Sequence, residues 1–322
     1  GSYTTLTFTG TTNLFVLNGT GTALTESNNI DNTKMVVAKI GNTYYETLEE
    51  ALAAVTDYTL IKLVGNATLD YGAREAYGRD TTTDIIIDGQ GFTLTLNQTD
   101  SDWSSIGLRN AAGKLTLKNM TIEKTGYGDT SGAWNTHAII FSCNVEMINV
   151  TVNNGIAVQN GATLKNVTIN EANGYYGLWI NGNGQTVEVN GGSITATNGG
   201  RGIKIADQYI DAPAQVTLSV DGTVFTTAKK AAVLVSSKAG AKIAANDVNI
   251  ANVAEDNVNF VWVDEDWAAN YGNVEVTGAK VAQEGIEKLI KDDIKVLCQQ
   301  LTLYKRPNEI IIRNEQLPKT TT

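Results

Sequence analysis

The stretch DIIIDGQGFTLTL at residues 84–96, followed by SSIGLRNAAGKLTLKNMTI at 104–122, decides the fold of this chain. Each segment has a short apolar strand, a corner rich in Gly, Asn or Asp, and a strand in which apolar and polar residues alternate. Alternation with a period of two places one set of side chains on a single face of the strand. Strands this short cannot bury that face alone, so the pattern predicts that they stack on copies of themselves.

Further copies of this pattern follow almost to the C-terminus. Their first strands recur at spacings of roughly 17 to 33 residues, as expected for one turn of a solenoid with corner loops of variable length. The corners contain Asn-Gly, Asp-Gly, Asn-Asn or Gly-Gly pairs, in which Gly and Asn tolerate positive φ. The sequence therefore predicts an all-β fold, a right-handed parallel β-helix (solenoid) of about eight turns. The later first strands begin at Ile139, Ile156, Leu178, Ile203, Val233 and Phe260.

Two helices are predicted at the ends of the repeat region. Thr47 precedes LEEALAAV, with Glu50 three residues on, which is the signature of an N-cap with a capping box. Near the C-terminus, EGIEKLIKDDIKVLCQQL at 284–301 has apolar residues at spacings of three and four, typical of an amphipathic helix. We expect the tail that contains this helix to cover the C-terminal end of the solenoid, with a dimer formed through two such tails as the alternative. The predicted regions are Thr-rich extension strands (1–35), a strand-helix-strand cap (36–83), the β-helix (84–282) and a helical and strand tail (283–322).

Composition narrows the choice of partners. The net charge of −10 and a pI near 4.7 describe a surface that repels phosphate backbones, so no nucleic-acid partner is expected. No apolar run approaches the length of a membrane span, so no membrane insertion is expected. Cys143 and Cys298 lack the spacing of a metal or redox motif. The initial Gly1-Ser2 resembles a cloning remnant, so the start of the chain does not exclude an export signal.

The N-terminal part of the repeat region carries a resemblance to a known group of proteins. GNTYYETLEEALAAV (41–55), TLIKLVGNATL (59–69) and IIIDGQGFTL (85–94) resemble the start of β-helix domains in large surface proteins of gut bacteria. There, a helix leads into a pectate-lyase-like solenoid. AAVLVSS (231–237) and VNFVWVDEDWAANYG (258–272) are similar to late turns of the same proteins. The resemblance covers about residues 36–281 and implies an extracellular or cell-surface location, but this fold hosts lyases, hydrolases, adhesins and passive stalks.

The tail carries a second resemblance. TLYKRPNEIIIRNEQLPKTTT (302–322) is similar to the end of the acyl-CoA synthetase, or adenylate-forming (AMP-binding), family, in which a helix leads to a YKRP-type turn, a strand and a PKT motif. The matching positions are 304–307, 310–312 and 317–320. In that family a Gly-Lys pair follows the PKT threonine and supplies the lysine that contacts the acyl-adenylate. That pair and the large nucleotide-binding domain are missing here, so we expect no ligase activity and interpret the tail as fused or recombined.

Acidic residues are scattered along the repeats. An enzyme that acts in a groove along one sheet needs a pair of carboxylates and often a basic residue. Glu171, Arg201 and Asp207 fall in successive turns and are the catalytic candidates, with a chance grouping of exposed residues as the alternative. Asp264 and Asp266 lie on one acidic corner, where they are candidate ligands for calcium, with a solvated turn as the alternative. No cofactor other than calcium is expected.

Aromatic residues at the corners are the strongest functional signal in the sequence. A flat ring with a polar handle suits stacking on sugar rings, and loops on rigid scaffolds often carry binding residues. The predicted ligand-binding residues are Tyr127, Trp134, Tyr175 and Tyr176, with packing under loops as the alternative. The wider set of corner aromatics adds Trp103, Trp179, Trp262 and Trp267.

These patterns favour a non-enzymatic, secreted or cell-surface β-helix module of a bacterium. Such a module acts as a stalk, an adhesin or a glycan-binding unit, with a glycan or a host-surface molecule as its partner. The alternative is a carbohydrate-active enzyme, either a polysaccharide lyase or a glycoside hydrolase, with an acidic groove. The acids discriminate between the two, because an enzyme needs carboxylates that converge with a base. The sequence fixes neither the ligand nor the oligomeric state.

Overall fold

The computed structural model of this chain describes its residues in sixteen segments. They are 14–15, 35–56, 59–71, 84–99, 105–106, 113–126, 139–172, 176–181, 183–197, 201–207, 210–227, 231–252, 259–263, 273–278, 301–306 and 309–314.

The chain begins with short strands and one helix. Strand β1 (Leu14–Phe15) is antiparallel to β2 (Met35–Val36), and β3 (Ala38–Ile40) is antiparallel to both β4 (Thr43–Tyr45) and β5 (Thr59–Leu63). Helix α1 (Leu48–Ala53) lies between β4 and β5. Strand β6 (Ala67–Tyr71) follows.

The remaining strands up to Thr277 form a parallel β-solenoid of about five turns, which confirms the predicted all-β class and solenoid fold. Each full turn contributes one strand to each of three sheets. The strands are β7 (Ile85–Asp88), β8 (Thr93–Gln98), β9 (Ser105–Ile106), β10 (Lys114–Gly126), β11 (Ile139–Phe141), β12 (Asn144–Val152), β13 (Ile156–Val158), β14 (Ala162–Lys165), β15 (Thr168–Glu171), β16 (Tyr176–Ile180), β17 (Thr186–Asn190), β18 (Ser193–Ala196), β19 (Arg201–Ala206), β20 (Val216–Asp221), β21 (Val224–Thr227), β22 (Ala231–Ser236), β23 (Ala241–Asn246), β24 (Asn249–Asn252), β25 (Asn259–Val263) and β26 (Val274–Thr277).

The three sheets follow the turns in a fixed order. The first sheet contains β5, β7, the start of β10, the start of β12, β14, β17, β20, β23 and β26. The second contains β6, β8, the end of β10, the end of β12, β15, β18, β21 and β24. The third contains β9, β11, β13, β16, β19, β22 and β25.

The predicted count of about eight turns was too high. Residues 139–252 hold five consecutive turns in which each sheet receives a strand. Before them, the two-residue strand β9 pairs with β11 in the third sheet and leads into β10, whereas no described third-sheet strand precedes β7 or β5. The sequence pattern identifies single strands, whereas a full turn needs a strand in each of the three sheets.

The interior of the solenoid is a stack of apolar side chains in register. One row along the first sheet holds Ile85, Leu115, Val145, Ala162, Val187, Leu218 and Ile243, each paired with the next. All are buried in one continuous core. Each large branched side chain in this row contributes about 1.5–3 kcal/mol through burial, so the stack is the main source of stability.

Helix α1 begins as its sequence predicts. Thr47 Oγ1 accepts a hydrogen bond from the Glu50 N–H at 3.1 Å, and Glu50 Oε2 accepts one from the Glu46 N–H at 3.1 Å. Leu48 and Leu52 are buried in the core cluster. The helix therefore packs its apolar side on the core of the solenoid.

The corner between the first and second sheets is held by a ladder of amide side chains. Asn119, Asn149 and Asn166 stack on successive turns with φ of +55°, +54° and +52°. Asn119 Nδ2 donates to Asp88 Oδ1 at 3.1 Å, Asn149 Nδ2 to Asn119 Oδ1 at 3.3 Å, and Asn166 Nδ2 to Asn149 Oδ1 at 2.9 Å. Asn is favoured here because it tolerates the left-handed conformation and its side chain satisfies its neighbour.

Two tail strands form an antiparallel hairpin, β27 (Leu301–Arg306) and β28 (Glu309–Asn314). Leu301, predicted as the end of a helix, opens β27 instead, and residues 284–300 of that helix lie outside the described part. Positions 304–306, expected as a turn from the acyl-CoA synthetase resemblance, lie within β27. Whether the tail covers the end of the solenoid stays a prediction. Among the described residues, no helix is long and apolar enough to cross a membrane.

Candidate ligand-binding face

The outward side of the third sheet carries side chains that differ in size and chemistry from one turn to the next. In the strands of this sheet the flanking residues face the core and the central residue faces outwards. We call these outward residues the third-sheet face. Register aligns its central row as Ile140, Ala157, Trp179, Lys204, Leu234 and Trp262.

Part of this face is buried although it points away from the core. Ile140, Ala157, Trp179 and Ala206 form a second apolar cluster, separate from the interior of the solenoid. Trp179 is only 2% exposed, whereas Lys204 and Trp262 are half-buried. The face therefore combines a buried apolar base with partly exposed rings and cations.

Tyr176 and Arg201 extend the face at the start of their strands. They are register partners on β16 and β19. The residue after Tyr176 is Gly177, where a Cβ would lie 2.5 Å from Ile194 Cγ2 in the core. Because Gly177 faces inwards, its neighbour Tyr176 faces outwards. A larger residue at 177 would collide with the core.

A lysine lies over two aromatic rings on this face. Lys204 Nζ is 4.7 Å from the centroid of the Tyr176 ring and 5.7 Å from that of the Trp179 ring. Both distances are within the range of cation–π attraction. This contact joins the neighbouring strands β16 and β19 and keeps an ammonium group beside a half-buried ring.

The described outward residues of the face carry positive but not negative charge, although the protein is acidic. Among its described outward residues, Arg201 and Lys204 are cationic and none carries a carboxylate. The net charge of the whole chain is −10. Cations concentrated on one face of an acidic protein favour the approach of an anionic ligand to that face.

Glu171, one of the catalytic candidates, lies buried where the third-sheet strands begin. It is 2% exposed, and its Oε2 accepts a hydrogen bond from the Gly155 N–H at 2.6 Å. A Cβ on Gly155 would lie 2.6 Å from the Tyr176 carbonyl oxygen. Glu171 therefore fixes the backbone that packs against the start of β16.

Asp207, a second catalytic candidate, lies where β19 ends. It is 3% exposed and accepts three hydrogen bonds, from Ser237 Oγ at 2.7 Å, Lys238 N at 3.0 Å and Ala239 N at 3.1 Å. These donors belong to the corner that follows β22. The carboxylate of Asp207 therefore holds the corners of two turns together.

The structure does not bring the three catalytic candidates to one point. Arg201 is at the start of β19 and Asp207 follows its end, which separates their Cα atoms by about 20 Å at about 3.3 Å per residue. Glu171 lies at the same edge as Arg201. Both carboxylates are buried, so they are not the exposed groove acids that the sequence suggested.

Several predicted site residues lie outside the described segments. These are Tyr127, Trp134 and Tyr175 among the ligand-binding residues, and Asp264 and Asp266 among the calcium ligands. Within the described segments, no group of three His, Cys, Asp or Glu side chains is placed to hold a metal ion. Tyr176 is the one predicted ligand-binding residue that the described part contains, and it belongs to the third-sheet face.

Lys204 was not among the predicted site residues, although a signal for it is present. The first strands contain apolar triplets that read IIF, IAV, LWI, IKI, VLV and VWV. The outer residues of each triplet face the core, so the central letter is the outward residue. A Trp or Lys at the central position differs from the aliphatic residues on either side of it. The central residues of the triplets, taken alone, would therefore have identified the third-sheet face.

No family model, no curated protein and no solved structure matches this chain.

Proposed function

We propose that this chain is a non-enzymatic glycan-binding module of a secreted or surface-displayed bacterial protein, and that the glycan binds to the third-sheet face. The observation that carries the proposal is the aromatic and cationic cluster of Tyr176, Trp179 and Lys204. Aromatic rings stack on the apolar faces of sugars, and the cations favour sugars that carry carboxylate or sulfate groups. The bacterial surface location rests on the resemblance of residues 36–281.

The shape of the face favours an extended ligand. Trp179 and Trp262 occupy the same outward row and are separated by three steps between neighbouring strands. At about 4.8 Å per step, the two indole groups are about 14 Å apart along the solenoid axis. Trp179 is 2% exposed and supports the partly exposed ring of Tyr176, so a glycan chain along this axis contacts Tyr176 and Trp262, whereas a single sugar contacts one of them.

The alternative function, a lyase or hydrolase, depends on carboxylates that converge on a substrate. Glu171 and Asp207 lie at opposite edges of the third sheet and accept hydrogen bonds from the backbone. This arrangement supports binding rather than catalysis at the face. Incubation with polysaccharides tests the point directly, because new reducing ends or unsaturated products would favour the enzyme.

A glycan array with neutral, uronic-acid-containing and sulfated oligosaccharides tests the proposal. The wild-type chain is expected to bind extended anionic glycans, and Tyr176→Ala to weaken binding about tenfold, which corresponds to about 1.4 kcal/mol. Tyr44→Ala is the matched control. Tyr44 is 43% exposed on β4, and Lys39 Nζ is 5.7 Å from its ring, so it has the same ring and cation away from the face.

Two results would contradict the proposal. One is the absence of binding to any glycan of the array. The other is an equal loss of binding in Tyr44→Ala and Tyr176→Ala, because the site would then not be the third-sheet face. Thermal unfolding of both variants is measured in parallel to confirm that each is folded.

A further inference from the structure

A row of buried polar side chains lies inside the corner between the second and third sheets. Ile122, Val152 and Ile169 are register partners on three successive turns, and all three are fully buried. Two residues further along the chain on each of these turns are Lys124, Asn154 and Glu171. They are 6%, 8% and 2% exposed, so a lysine, an asparagine and a glutamate lie side by side away from water.

One hydrogen bond joins Lys124 to Asn154, and another joins Glu171 to Gly155, the residue that follows Asn154. The Lys124 N–H donates to Asn154 Oδ1 at 2.8 Å, which places the asparagine side chain beside the lysine backbone. The next N–H along the chain, that of Gly155, donates to Glu171 Oε2 at 2.6 Å. Asn154 is therefore the middle member, with the lysine on one neighbouring turn and the carboxylate on the other.

We propose that Lys124 and Asn154 form an intramolecular isopeptide bond, with Glu171 as the group that transfers the protons. The Lys124 Nζ lone pair attacks Asn154 Cγ and a new N–C bond forms. Glu171 takes a proton from Nζ and delivers it to Nδ2, the Cγ–Nδ2 bond breaks, and ammonia leaves. The amine and the amide give a secondary amide and ammonia, so no oxidant or reductant is needed and the carboxylate returns to its starting state.

The surroundings favour each part of this reaction. Removal of a lysine from water disfavours its ammonium form, and the neutral amine is the nucleophile. The Glu171 carboxylate lies 2.6 Å from the Gly155 nitrogen, next in the chain to Asn154, and a carboxylate beside the reacting groups is a suitable general base and acid. The four-carbon stem of lysine is long enough to span one step of about 4.8 Å between neighbouring strands. The fold holds the groups as neighbours, which removes the entropic cost of bringing them together.

The bond would join β10 to the corner that follows β12. The two residues are 30 positions apart in the chain, so the cross-link closes a loop of one solenoid turn. A covalent tie of this kind restricts the unfolded chain as a disulfide does, and it does not depend on the redox environment. It lies beside Gly155 and the start of β16, where the third-sheet face begins.

Mass spectrometry of the purified full chain under denaturing conditions tests this inference. The wild type is expected to weigh about 17 Da less than its sequence predicts, because one ammonia is lost. Tandem spectra of a protease digest are expected to show the Lys124 peptide joined to the Asn154 peptide. Lys124→Arg and Glu171→Gln are expected to have the full mass. Lys118→Arg, on the outward side of β10, is the control and is expected to keep the deficit.

An Asn-Gly pair can lose ammonia by another route. The Gly155 nitrogen can attack the same Asn154 carbon and form a succinimide of equal mass, without the lysine. A deficit that persists in Lys124→Arg would therefore assign the loss to a succinimide and overturn the isopeptide. A wild-type chain of full mass would also overturn it. If Lys124→Arg does not fold, the joined peptide in the wild-type digest decides alone: its presence supports the bond and its absence rejects it.

Discussion

The outward sides of the second and third sheets differ although they belong to the same turns. On the second sheet, one register row reads Thr93, Thr121, Thr151, Thr168 and Ser193. On the third sheet, the central row reads Ile140, Ala157, Trp179, Lys204, Leu234 and Trp262. The row on the second sheet consists of threonine and serine. In the row on the third sheet, the residue changes in size and chemistry at almost every turn.

The contacts within the two surfaces differ in the same way. On the second sheet, Asn170 Nδ2 donates to Asn153 Oδ1 at 3.2 Å and Asn153 Nδ2 donates to Glu123 Oε1 at 3.1 Å, so similar groups bond along the axis. On the third sheet, the contact joins unlike groups, Lys204 and the rings of Tyr176 and Trp179. A row of similar residues that bond to one another stabilises the stacking of the turns. Stacking does not require unlike residues on a regular backbone, which is why we propose the third sheet as the ligand-binding surface.

The largest expected effect comes from the core that both surfaces share. Phe225 on β21 is fully buried, and its ring is 6.1 Å from that of Phe260 on the third sheet. Phe225→Ala is expected to lower the free energy of unfolding by about 3–5 kcal/mol, because it leaves a cavity between the two sheets. Denaturant unfolding measures this loss. The control is Val224→Ala, since Val224 is 39% exposed and points outwards. Equal losses in the two variants would contradict the assigned inward and outward sides.

A medium effect is expected from the repeating ladder of amides. Asn149→Ala removes two ladder hydrogen bonds and places a Cβ residue without a compensating amide at φ of +54°. We expect a loss of about 2 kcal/mol from hydrogen bonds and the left-handed backbone together. Asn149→Gly keeps the backbone conformation without strain and is expected to lose about 1 kcal/mol. Equal stability of both variants and the wild type would show that the ladder does not stabilise the turns.

The smallest expected effect concerns a carboxylate on the first sheet. Glu146 accepts hydrogen bonds from Lys114 and Lys165, each at 2.6 Å, and the bond from Lys114, followed by that from Lys165, holds the pKa of Glu146 below its ordinary value of 4.5. A lowered folded pKa adds stability above the unfolded pKa, and this stability is lost as the pH falls through the folded pKa. The lysine side chains are 45% and 49% exposed, so solvent screening limits the effect to about 0.2–1 kcal/mol.

Unfolding of the wild type and Glu146→Gln at pH 7 and pH 3 measures this effect. The wild type is expected to be more stable at pH 7, and the difference is expected to shrink on acidification to pH 3, because the unfolded chain binds the proton at Glu146 more readily than the folded chain. A difference that grows on acidification would contradict the lowered pKa. The triad belongs to the scaffold, so the third-sheet face is expected to keep its ligand affinity in this variant.

The fold could be predicted because inward positions are constrained by the core. Leu94, Leu96, Leu115 and Leu117 alternate with polar residues, and all four are buried. Asn119 and Asn149, which occupy the left-handed conformation at a corner, were not among the predicted corner pairs, because neither has a Gly or a second Asn beside it. The number of turns could not be read in this way. A strand forms only where a neighbouring turn supplies its partner, and the sequence pattern of one turn does not show this.

The candidate site was less predictable, because outward positions have no shared constraint. Tyr176 was predicted because it is an aromatic residue at a corner. Lys204 lies inside an apolar strand, where a single charged residue only interrupts the apolar pattern. Glu171 was read as a groove acid, but its partner is the Gly155 N–H, 16 positions earlier in the chain. The burial of such a carboxylate depends on which turns become neighbours, and short-range patterns do not contain that information.

The dissociation constant of Lys204→Met for an extended anionic glycan tests the account most directly. Lys242→Met is the matched control, because Lys242 is an exposed lysine on β23 of the first sheet, where it pairs in register with Thr217. The account predicts at least about tenfold weaker binding for Lys204→Met, unchanged binding for Lys242→Met, and a weaker salt dependence in the first variant alone. Equal affinity of the wild type and Lys204→Met, in chains of equal thermal stability, would contradict the assignment of the ligand to the third-sheet face.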